Sequence, residues 1–86
     1  MKQQLSDEQF KLLQSLGYPY GNSIGELIQF LLNKYPSDLK LMKFPSAWEV
    51  GTQSRDYWRT KIHFRADELI DALYEFTETV LLNRVP

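Results

Sequence analysis

The stretch RDYWRTKIHFR, Arg55–Arg65, decides the fold class. Taken by alternate residues, it separates Trp58, Thr60, Ile62 and Phe64 from Tyr57, Arg59, Lys61, His63 and Arg65. Alternation at a period of two, in residues that are aromatic or β-branched, predicts a strand over Tyr57–Phe64. Its apolar row needs a cover, and its basic row faces outward, as on a sheet with one wet side.

Downstream, the period changes. Leu69, Leu73, Phe76 and Val80 recur at helical spacing, widened by Ile70, Tyr74 and Leu81. They predict a long helix from Ala66 to about Asn83. Asp67, Asp71, Glu75 and Glu78 form an acidic row away from that stripe.

Upstream, AWEV (Ala47–Val50) predicts a short strand with Trp48 and Val50 on one face and Glu49 on the other. Glu49 is placed to pair with a cation of the neighbouring strand. FPS is a corner. LKLMKF, Leu39–Phe44, reads as a strand, or else as a helical turn capped by Ser37. Before it lies IGELIQFLLNK, Ile24–Lys34, apolar over most of a helical circumference and preceded by a capping box from Ser23 to Glu26. Tyr35-Pro36 ends it, because a residue before proline avoids helical geometry. A first helix over Asp7–Leu16 follows from the capping box of Ser6 with Gln9, and Gly17 supplies its left-handed stop. GYPYGN between the two helices is a turn.

Helix, helix, strands, helix predicts an α+β domain. It has an N-terminal αα-hairpin, a small antiparallel sheet of two or three strands, and a long C-terminal helix packed on one sheet face. Residues 1–86 form a single small globular domain. There is no cysteine, which excludes disulfides and thiolate chemistry and suits a reducing compartment. The N-terminus MKQQLSDEQF is polar, and the longest apolar cluster, LIQFLL, is too short to span a bilayer. These features predict a soluble, cytoplasmic protein without membrane contact.

The net charge of −1, from ten basic and eleven acidic residues, provides no global attraction to nucleic acid. Locally, Arg59, Lys61, His63 and Arg65 beside Tyr57 are candidate phosphate contacts. A weak nucleic-acid binder is therefore the alternative function, and a solvated sheet face the favoured reading of the row. Double-stranded RNA-binding domains share the order helix, strands, helix, but they present lysines where this chain has Asp67 and Glu68. A helix-turn-helix reading fails on chemistry, since Ile24, Gly25, Glu26, Leu27 and Ile28 give a recognition helix no arginine or lysine.

The acidic row is one stripe on one helix, and a hard cation needs ligands from several elements, so no metal site is expected. His63 is the only histidine and has no evident nucleophile and orienting partner. No phosphate-binding, dinucleotide or zinc motif occurs, and neither catalysis nor a cofactor is expected. What remains is a non-catalytic binding or adaptor module acting on protein, including a second copy of itself. The candidate interface residues are Tyr18, Tyr20 and Phe30, with Tyr74, Leu81 and Leu82 on the outer side of the last helix.

Overall fold

The computed structural model describes residues 3–36, 39–52 and 63–82. Six elements follow in order: α1 (Asp7–Ser15), α2 (Ile24–Lys34), β1 (Leu39–Phe44), β2 (Ala47–Thr52), β3 (His63–Ala66) and α3 (Leu69–Leu81). The fold is α+β, with two N-terminal helices, a three-stranded antiparallel sheet in the order β1-β2-β3, and α3 packed on the sheet.

The ends of α1 are set by local chemistry. Ser6 Oγ accepts the Gln9 amide at 3.2 Å, and the Ser6 amide donates to Gln9 Oε1 at 3.1 Å, a complete capping box. At the other end Gly17 takes a left-handed φ of 100°. The Gly17 amide donates to the Gln14 carbonyl and the Tyr18 amide to that of Leu13, which satisfies two carbonyls of the last turn. Leu13 and Tyr18 are both buried, the apolar contact that accompanies this ending.

The start of α2 departs from the expected capping box. Ser23 Oγ accepts the Glu26 amide, as required. The Glu26 carboxylate does not return to the Ser23 amide. It accepts the Gly21 amide at 2.6 Å and the Ser23 hydroxyl at 3.1 Å instead. The Ile24 amide donates to the Gln3 carbonyl and that of Leu5 to Asn22, tying the N-terminus to the start of α2.

LKLMKF is a strand. The two-residue turn Pro45–Ser46 joins it to β2 with Phe44 opposite Ala47, and the register then runs without a bulge to Leu39 opposite Thr52. On the other side of β2, Val50 lies opposite Phe64 and Glu49 opposite Arg65. Within β3 the two-sided reading holds: Phe64 packs against the core, stacked on Phe76 at 5.1 Å, while Arg65 faces away. Trp58, Thr60 and Ile62, and with them most of the strand expected over Tyr57–Phe64, lie outside the described residues.

The last helix begins later than its pattern predicted. Ala66 pairs with Trp48 in the sheet, and Asp67 and Glu68 form the bend, with Glu68 as N-cap of α3. The ladder holds Ala66 extended, against its good helix propensity. From Leu69 onward the stripe is as read. Ile70, Ala72, Leu73, Phe76 and Thr77 are fully buried, and with Leu13, Leu27, Leu31 and Val50 they form the centre of the core.

Candidate interaction surface

Helix α3 lies over β2 and β3. Strand β1 sits beside that roof, not beneath it, and the consequence is visible along one row of the ladder. Leu41, Val50 and Phe64 are direct cross-strand neighbours on the helix side. Val50 is 0% exposed, whereas Leu41 is 37% exposed. Next to Leu41 on the chain, Met42 projects from the opposite face and is also 37% exposed. Thus β1 displays apolar side chains on both faces. Among the described residues no strand pairs with its outer edge.

Lysines flank this pair. Lys43 lies on the helix side with its ammonium 4.9 Å from the Trp48 ring, so its stem and charge cover an aromatic. Lys40 is half-buried on the open side, opposite Gly51. Lysine on an edge strand is a common guard against indiscriminate pairing. Here the guards leave Leu41 and Met42 exposed between them.

The open face carries the one cation of the candidate nucleic-acid row whose side chain is described. Arg65 binds Glu49 at 3.3 Å, and its guanidinium lies 4.5 Å from the Phe44 ring. The cross-strand pairing expected of Glu49 is present. Arg59 and Lys61 lie outside the described residues, as does the side chain of His63.

The candidate protein contacts separate into covered and uncovered groups. Tyr18 is 4% exposed and closes the core as a lid, its ring edge-on to Phe10 and Phe30, its hydroxyl donating to the Gly21 carbonyl at 2.6 Å. Burial, with the Glu26 carboxylate nearby, pushes its phenol up to about 12. Phe30 is 5% exposed beneath Tyr18 and Tyr20. The apolar arc of α2 is therefore closed within the chain at Leu27, Phe30 and Leu31, while Leu32 of the same helix is 39% exposed. Tyr20 is half out, and its hydroxyl accepts from the Asn33 side chain at 2.8 Å. On α3, Tyr74 and Leu81 are half-buried against the core and Leu82 is exposed. Burial and a hydrogen bond with Glu78 raise the Tyr74 phenol to about 12.

The acidic row is not one solvated stripe. Asp67 precedes the helix, Asp71 is half-buried and accepts from Gln9 Nε2 at 3.3 Å, and Glu78 engages Tyr74. Among the described residues no group of His, Cys, Asp or Glu is gathered to hold a metal ion, and no helix is long and apolar enough to cross a membrane.

The sequence reading passed over Leu41 and Met42. The signal available was their position: adjacent apolar residues between lysines in a strand whose partner lies on one side only. Adjacent residues of a strand face opposite ways, so one helix cannot bury both. No family model matches the chain, and no curated protein or solved structure shows significant similarity to it.

Proposed function

We propose that the protein is a non-catalytic protein-binding module that acts through the outer edge of β1, and that a second copy of the chain occupies that edge. One observation carries the reading: β1 is a six-residue edge strand with Leu41 and Met42 each 37% exposed on opposite faces. An open strand edge presents unpaired amide and carbonyl groups to an incoming strand, and side chains on both faces add apolar contact. Two-fold homodimers are the commonest closed assembly, and a strand pairing antiparallel with its own copy is inherently two-fold.

Of the described residues on the basic row, Arg65 has its charge engaged by Glu49 and Phe44, which favours a protein partner over a phosphate backbone. Light scattering over a dilution series tests the proposal. A dimer mass is expected at high concentration, and Leu41→Lys, which sets charge at the edge, should return the monomer. A monomer mass at every concentration would overturn the reading.

A further inference from the structure

We draw no further inference here: the strongest candidate, the open face of the sheet that carries Lys40, Met42, Phe44 and the Arg65–Glu49 pair, supports no proposal because nothing in the structure shows what covers it.

Discussion

Val50 and Leu41 stand side by side on one face of one sheet, and their surroundings differ completely. Val50 has Phe64 on its other flank and α3 above it, and water does not reach it. Leu41 has Val50 on one flank and, among the described residues, no strand on the other. Both are aliphatic residues in strands of equal length. The difference lies in the reach of a single helix: α3 spans about two strand spacings at its width of roughly 10 Å, and the third strand falls outside it. Among the described residues α3 is the helix that roofs the sheet, and β1 lies outside its cover.

The widest separation between the two regions is expected in stability. Phe76 is fully buried at the centre of the roof, stacked on Phe64 and tilted against Tyr35. Phe76→Ala should cost about 3–5 kcal/mol, enough to unfold much of a domain of this size. Leu41→Ala should cost about 1 kcal/mol or less at concentrations where the chain is monomeric. Urea unfolding of both variants checks this, and comparable losses would erase the distinction between roofed and bare strands.

A smaller effect is expected where the helical side is closed by backbone geometry. Gly17 holds a left-handed φ of 100° with no atom within 4 Å of where a Cβ would stand. Gly17→Ala therefore meets no steric clash, and its cost of about 1–2 kcal/mol is that of the left-handed backbone alone. Thermal unfolding should show the loss without any change in the mass of the assembly, since β1 is untouched.

Most of this fold was legible because local signals and tertiary demands agree. The Ser6 and Gln9 capping box, the Gly17 stop and the apolar stripe of α3 are each local and each present. The boundary at Ala66 was not legible. Alanine favours helix, and only the pairing with Trp48, distant in sequence, holds it extended. The capping carboxylate of Glu26 was half legible: its spacing from Ser23 is right, but Gly21 offers it an amide from further back in the turn. The candidate surface was the least legible part. Periodicity reports which residues want burial, and it cannot report that α3 stops short of β1, so Phe30 looked available and Leu41 did not draw notice.

The smallest effect expected within the roof is a gain. Thr77 is fully buried in α3, and its hydroxyl has no hydrogen-bond partner among the described residues. Replacing it with an apolar group of the same shape removes an unpaired polar atom. Thr77→Val should raise stability by about 1 kcal/mol, with the unfolding midpoint as the measurement. A loss of similar size would mean that the hydroxyl is satisfied in solution and that the centre of the roof is less dry than its packing indicates.

The central claim is that the outer edge of β1 is where a second copy binds, and amide hydrogen exchange reads that edge residue by residue. A two-residue loop is closed by a pair that exchanges both backbone hydrogen bonds, here Phe44 and Ala47, and such pairs alternate along the ladder. The amides of Lys40, Met42 and Phe44 therefore face β2 and should be protected at every concentration. Those of Leu39, Leu41 and Lys43 face outward and should exchange quickly in dilute solution. Raising the concentration should slow these three selectively and leave the inward set unchanged. If Leu39, Leu41 and Lys43 exchange at the same fast rate in concentrated and dilute samples, β1 is a bare edge and the account of its function is wrong.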